Sequence, residues 1–404
     1  MSQNDFLRPS FFEDVLASEE PSVIKIISLK SEPASDAGEA YSSVVKRVFL
    51  DAQLENKSIQ QKSLVIKIPH GKEVATAEAL NEMKLFPREI NFYEKIAPEF
   101  EDLYKSKGKS VKFSPKYFES EENIVILEDL SSRNFKNADR IKGLNLDHCK
   151  CVLKKMAEFH AASAVYFENN GPFEDILTKG VFTENNRPYI EAFNESLYSV
   201  LKKCMVKFYE NGAYFADKFC RSSKEITSEI IDSGKIDYSD FNVLNHGDCW
   251  SNNIMFNYDE SEKIKETLFI DFQYCKYGTP AEDLYYFILS SAEHDLKVAN
   301  FEYFIKFYYD ELVKNLKLLD YPKTIPTLID IHIALYRHGI WAIMTTVGIM
   351  GAALLDRNEN ASMDNYVSDD QNGNDFKMMV YGNERYIKAM NQLLPWMDNR
   401  GVLD

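Results

Sequence analysis

The sequence predicts an α+β chain folded in two lobes, a β-rich first part and a larger, mainly helical second part. Three observations predict it. At 404 residues the chain is longer than a single hydrophobic core comfortably serves. Residues 1–130 alternate short apolar runs with turn residues and hold one prominent helical pattern. From Asp147 onward apolar residues recur at helical spacing, interrupted by a small β-hairpin between Phe241 and Gln273. The boundary is therefore expected near residue 130, dividing 1–130 from 131–404.

Taken in order, Val44, Val45 and Val48 mark a first strand after the small-residue turn around Gly38. Leu64 to Ile68 is an apolar run with Lys67 inside it, which reads as a buried strand. Pro87 suits the first turn of a helix. Ile90, Tyr93 and Ile96 share one face of that helix, and Pro98 is expected to end it. Ile124 to Leu127 is the next strand. In the second part, Cys149–Phe167, Tyr189–Phe219, Phe301–Leu318, Ile329–Leu355 and Phe376–Leu394 read as helices. Thr279, Pro280 and Glu282 form a capping-box pattern with proline at the first helical position. The uncharged run Gly339–Leu355 is shorter than the ~20 residues of a bilayer span, so a buried helix is expected and no membrane insertion.

Composition narrows the class. The formal net charge of −16 repels nucleic acid and anionic membranes. Any phosphate must then be held by local lysines, backbone amides and metal ions. None of the six cysteines forms a Cys-x-x-Cys pair, so reduced thiols in a cytoplasmic chain are expected. Met1 to Leu16 carries Asp5, Arg8, Glu13 and Asp14 and no apolar stretch, so no signal peptide is expected.

The chemistry collects on the hairpin. Asp248 and Asn253 precede its first strand (Ile254 to Phe256), and Asp271 directly follows its second (Leu268 to Ile270). Pairing through the polar turn Asn257 to Glu262 brings the start of one strand beside the end of the other. Singly, each is an ordinary turn residue. Together, two carboxylates and an amide are hard oxygen donors that suit Mg²⁺. They fit phosphoryl transfer, where positioning and charge neutralisation dominate. Asp248 then takes the proton of the attacking hydroxyl, and Asn253 and Asp271 hold the metal. Lys67, inside an apolar strand, needs an anionic partner.

The run from His246 through Asp248 and Asn253 to Phe256, then Leu268 to Gln273, then Pro280 to Phe287, resembles the insect ecdysteroid kinase-like family. That family lies within the choline kinase and aminoglycoside phosphotransferase group of protein-kinase-like folds. The resemblance extends from Gly38 to the C-terminus. It implies a protein-kinase-like fold, Asp248 as catalytic base, and Asn253 and Asp271 as metal ligands. It gives Lys67 the α- and β-phosphates of ATP and makes Glu89 the glutamate that holds it, with Glu82 and Glu94 as fallback partners. Ser42 and Ser43 resemble a phosphate-covering loop that lacks the Gly-rich pattern. Glu128, Asp129 and Leu130 correspond to an adenine-binding hinge near 127–131. Asp283 resembles an aspartate that steadies the catalytic loop, and His160 a position expected to be core. An HGD in place of HRD and a DFQ in place of DFG set the chain apart from true protein kinases.

The expected function is transfer of the γ-phosphoryl group of ATP, with Mg²⁺, to a hydroxyl of an ecdysteroid or similar lipophilic small molecule, including a xenobiotic. The acceptor is expected near Asp248 and Trp250. An amino alcohol of the choline or aminoglycoside type is the alternative acceptor. A kinase-like module that binds nucleotide without turning it over is the alternative to an enzyme.

Overall fold

The computed structural model describes residues 7–17, 20, 22–34, 43–70, 77–120, 123–358 and 361–404. Five strands form an antiparallel sheet in the N-terminal part: β1 (Val23–Pro33), β2 (Ser43–Leu54), β3 (Ile59–Pro69), β4 (Tyr117–Phe118) and β5 (Val125–Glu128), in the order β1-β2-β3-β5-β4. Side chains alternate between the two faces of a strand. On β3, Leu64, Ile66 and Ile68 enter a core shared with Phe12, Leu16, Val48, Leu50 and Ile126. Val65 and Lys67 therefore face the other way and roof a cleft. Their cross-strand partners Arg47, Val45 and Leu127 line the same cleft. Both faces of β3 are thus covered, which is why its sequence reads as one apolar run. β1 left no such signature, because most of its side chains are exposed and bulges break its register near Lys25 and Ser28.

The prominent helix differs from expectation at Pro98. The segment Leu85–Asn91 passes through a π-turn, Phe92–Ile96, and continues as Ala97–Ser106. Pro98 lies directly after the π-turn, at the second position of that last segment, and the helix continues through it. Its apolar residues Phe92, Phe100 and Tyr104 pack into the large core of the helical part rather than into the core of the sheet.

Three expected helices are each broken. Asn211, in the left-handed region at φ 51°, separates Arg187–Phe208 from Gly212–Phe219. The Ile329–Leu355 stretch becomes Leu328–Arg337, Ile340–Val347 and Ile349–Leu354, with breaks at His338-Gly339 and at Gly348. Phe376–Leu394 divides into Gln371–Tyr381 and Glu384–Asn399 at Gly382, where the Asn383 side chain caps the second helix. In each case a glycine or asparagine inside an apolar pattern marks the break. Leu146–Asn170 and Phe301–Leu318 run unbroken and pack on one another. Among the described residues no helix is long and apolar enough to cross a membrane.

Set into the helical part are three further strand pairs. Residues Phe135–Lys136 (β6), Ile254–Tyr258 (β8) and Ile264–Phe269 (β9) form a three-stranded antiparallel sheet. Val243–Asn245 (β7) pairs with Lys276–Gly278 (β10). β8 and β9 are the expected hairpin, with Ile254 opposite Phe269. The two-residue strand β6 is too short to leave a periodic signal. The whole is a β-rich N-terminal sheet joined to a larger helical C-terminal part, the two-lobed α+β arrangement expected from the sequence.

Candidate active site

The cleft between sheet and helical part encloses about 1510 Å³. That exceeds the ~300–1,000 Å³ of ordinary small-molecule pockets, and leaves space for two ligands side by side. Ser43, Lys67, Glu89, Glu128, Asp129, Leu130, Asp248, Asn253 and Asp271 all line it. Ser42 lies outside the described residues.

Asp248 follows Gly247 in the loop after β7. Gly247 has φ +78°, and a Cβ there would stand 2.3 Å from the Tyr274 carbonyl oxygen, so only glycine fits. The loop is fastened from below by Asp283. Its Oδ2 accepts the His246 backbone N–H at 2.7 Å and its Oδ1 that of Gly247 at 2.9 Å. His160 is fully buried and bonds Asp283 through Nε2 at 3.1 Å and the Tyr308 hydroxyl through Nδ1 at 2.7 Å. Burial disfavours charge on Asp283, but these donors outweigh it and hold its carboxyl below the usual range. His246 donates Nε2–H to the Ile270 carbonyl at 3.0 Å and accepts the Asp248 N–H at Nδ1, 3.2 Å. One nitrogen donates and the other accepts, so the ring is neutral, and burial lowers its pKa accordingly.

The Asp248 side chain is 9% exposed. Asn253 Nδ2 donates to its Oδ2 at 2.9 Å and to its backbone carbonyl at 2.9 Å. The Tyr286 hydroxyl donates to Oδ1. Burial, then the negative charge of Asp271, raises the Asp248 pKa well above that of an ordinary carboxyl. With Asn253 Nδ2 committed twice to Asp248, its Oδ1 is the amide atom left to meet a cation.

Asp271 sits in the left-handed region at φ 67°, where Asp and Asn are the tolerated non-glycine residues. Its Oδ1 accepts from Lys67 Nζ at 2.5 Å, and Gln273 Nε2 donates to Oδ2 at 3.3 Å. Its backbone N–H points to the Tyr93 hydroxyl at 3.3 Å, so the π-turn carries a direct contact to this residue. The ring of Phe272 stacks on Phe92 from the same turn, with centroids 3.7 Å apart. Lys67 also donates to Glu89 Oε2 at 2.7 Å, which makes Glu89 its helix partner; Glu82 and Glu94 are exposed. Burial opposes the Lys67 charge, but Asp271 and Glu89 together raise its pKa above the ordinary value. Burial pushes Glu89 the other way, upward, against the pull of Lys67. Two carboxylates and an amide oxygen on one wall, with a protonated lysine beside them, match the oxygen-only donor set of Mg²⁺ with phosphates. Among the described residues no cluster of three or more His, Cys, Asp or Glu offers another metal site.

At the junction of the two parts, Asp129 is buried and caps the turn Leu130–Arg133. Its carboxylate takes Arg47 at 2.9 Å and the hydroxyls of Ser63 and Ser131. Its side chain is thus committed to structure, and its carbonyl accepts from Ser132 N–H at 3.1 Å.

The capping box expected at Thr279 is not made. The helix Ala281–Ser291 starts after Pro280, and Glu282 turns into the cleft instead of back to the cap. Sequence reasoning also missed Tyr286, Gln273, Tyr93 and Arg88. Arg88 is buried and donates to the carbonyls of Gln273, Ile176 and Met83 at 2.8, 3.0 and 3.1 Å. The only advance signal was the Glu282–Tyr286 spacing of four, which puts both on one helix face.

The sequence model of the ecdysteroid kinase-like family matches residues 37–321. No curated protein matches the chain.

Proposed function

The chain belongs to the ecdysteroid kinase-like family, and from that premise we propose that it is an ATP- and Mg²⁺-dependent phosphotransferase acting on a hydroxyl of an ecdysteroid or similar lipophilic alcohol. Kinase-like small-molecule phosphotransfer is what the family implies; nucleotide, metal and acceptor are our reading. One observation carries it: Asp248, bonded to Asn253 and Tyr286, shares a cleft with Asp271 and the Lys67–Glu89 pair.

In this reading ATP lies under the sheet, with its adenine at the hinge residues 127–131 and its α- and β-phosphates at Lys67. Ser43, at the start of β2, faces the phosphate end. The hinge also divides the lobes, 1–130 from 131–404. Asn253 and Asp271 would hold Mg²⁺, which supplies charge neutralisation of the triphosphate. The acceptor hydroxyl sits at Asp248. As its oxygen bonds to the γ-phosphorus and the bond to the β-phosphate oxygen breaks, Asp248 takes the hydroxyl proton. Burial raises the affinity of Asp248 for that proton, as a base requires. ADP and the phosphate ester leave. The cleft beyond Asp248 is walled by Phe182, Phe193, Trp341, Met344 and Ile349, which favours a lipophilic acceptor over an amino alcohol. Six unpaired cysteines agree with a cytoplasmic setting.

The test is a panel of steroid and amino alcohols incubated with γ-labelled ATP and Mg²⁺. Transfer to a lipophilic alcohol is expected. Nucleotide-dependent thermal stabilisation without transfer to any alcohol would overturn the enzyme reading in favour of a silent binder.

A further inference from the structure

The apolar end of the cleft holds two buried polar atoms that phosphoryl transfer does not use. Glu282 is 4% exposed, and among the described residues its Oε2 has no hydrogen-bond partner. The indole Nε1–H of Trp341, on the neighbouring helix Ile340–Val347, has none either. Both residues line the cleft, and their helices pack together. Folded proteins rarely leave buried polar atoms unmatched, so two such atoms on residues that line one cavity ask for a ligand that completes them.

Their placement sets what that ligand looks like. Glu282 and Tyr286 stand four positions apart on Ala281–Ser291, so their side chains are neighbours on one face, one turn apart. The Tyr286 hydroxyl touches Asp248. Glu282 therefore lies one helical turn from the group that meets the reacting hydroxyl. Lys276, buried after the hairpin, acts on Glu282 electrostatically and disfavours a second cation there. Burial also raises the Glu282 pKa to about 7, so the carboxyl suits a neutral partner.

We propose that Glu282 is a specificity-determining residue that hydrogen-bonds a second hydroxyl of a neutral, rigid, apolar polyol whose first hydroxyl stands at Asp248, with Trp341 Nε1–H donating to another oxygen of the same acceptor. This rests on the kinase reading above.

The probes are a polyhydroxylated ecdysteroid and its mono-deoxy analogues, each assayed with labelled ATP. For the wild type, removing one hydroxyl remote from the phosphorylated one is expected to raise KM about tenfold with little change in kcat. In Glu282→Leu, KM for the parent steroid rises by a similar factor, and that deoxy analogue then shows no further loss. Glu282→Gln retains part of the discrimination. Trp341→Phe keeps the ring and removes only the N–H; it serves as an independent reading if Glu282→Leu folds poorly. Its KM for the parent is expected to rise about fivefold. A Glu282→Leu loss equal for every analogue, with Trp341→Phe unchanged, overturns the inference and leaves the kinase intact. So does a wild type that prefers an amino alcohol and loses that preference in Glu282→Gln. Failure of the wild type to phosphorylate any alcohol overturns the kinase reading, and this inference with it.

Discussion

Asp248 is gripped by an amide and a phenol and stands in the field of a second carboxylate, and each contact belongs to a different element. Asp248→Asn is expected to lower turnover at least ~100-fold while leaving nucleotide affinity within about twofold. Single-turnover transfer and nucleotide titration measure the two separately; wild-type turnover would remove Asp248 from its role. Lys67 is 6% exposed and shared by Glu89 and Asp271. Lys67→Met leaves Glu89 buried without its cation and is expected to cost about 3 kcal/mol. Adding Glu89→Gln should recover part of that cost in chemical denaturation; no recovery would mean the pair is not coupled. Glu282 gives a pH signature. Its carboxyl ordinarily titrates at 4.5 and is raised to about 7 here, with Lys276 and Asp283 as its charged neighbours. Between those values the folded protein binds more protons than the unfolded chain, so this group withdraws stability as pH rises, by up to ~1.4 kcal/mol per pH unit. Glu282→Gln, which cannot ionise, should gain in melting temperature over the wild type across that window and hold a constant advantage above it. A pH-independent difference would refute the buried carboxyl. At this scale the sequence exposed Asp248, Asn253 and Asp271, because turn residues flanking two short strands stand out. It hid Gln273, Tyr286 and the His246 tautomer, which exist only through contacts between elements distant in the chain.

The π-turn Phe92–Ile96 is the element on which the lysine's partner depends. It is one residue longer per turn than an α-helix, so it sets the rotation of Leu85–Asn91, and hence of Glu89, against Ala97–Ser106. Inserting one alanine after exposed Glu94 adds a residue that the turn does not absorb and should turn Glu89 about 100° away from Lys67. Helical content by circular dichroism is expected to persist while nucleotide affinity falls at least tenfold. Retained affinity would show that the π-turn has no such role. The sequence placed a helix here from its apolar face but could not show the turn, because a π-turn leaves the face pattern nearly intact over five residues. The breaks at Asn211, Gly348 and Gly382 were legible in principle, as each carries glycine or asparagine; long apolar patterns on both sides masked them.

The molecule has two large hydrophobic cores, one on the face of the sheet turned away from the cleft and one filling the helical part. Two cores predict two unfolding steps. Urea denaturation followed by tryptophan fluorescence and far-UV circular dichroism should give non-coincident transitions. Mg-ATP contacting both parts is expected to raise the first and bring the two together. A single coincident transition with or without nucleotide would argue for one cooperative unit. A β-rich first part and a larger helical part were readable from the apolar periodicities, which separate along the chain; the burial of the Leu85–Ser106 segment against the second core was not, because its apolar face carries no label of its partner. The backbone at Asp271 has a last implication, for descent rather than chemistry. Its left-handed geometry admits aspartate and asparagine nearly alike, and their codons differ by one base. A gene for this fold therefore lies one point mutation from a chain that keeps its shape and forfeits a carboxylate, so inert cousins that merely hold their small molecules are an easily reached outcome in such a lineage.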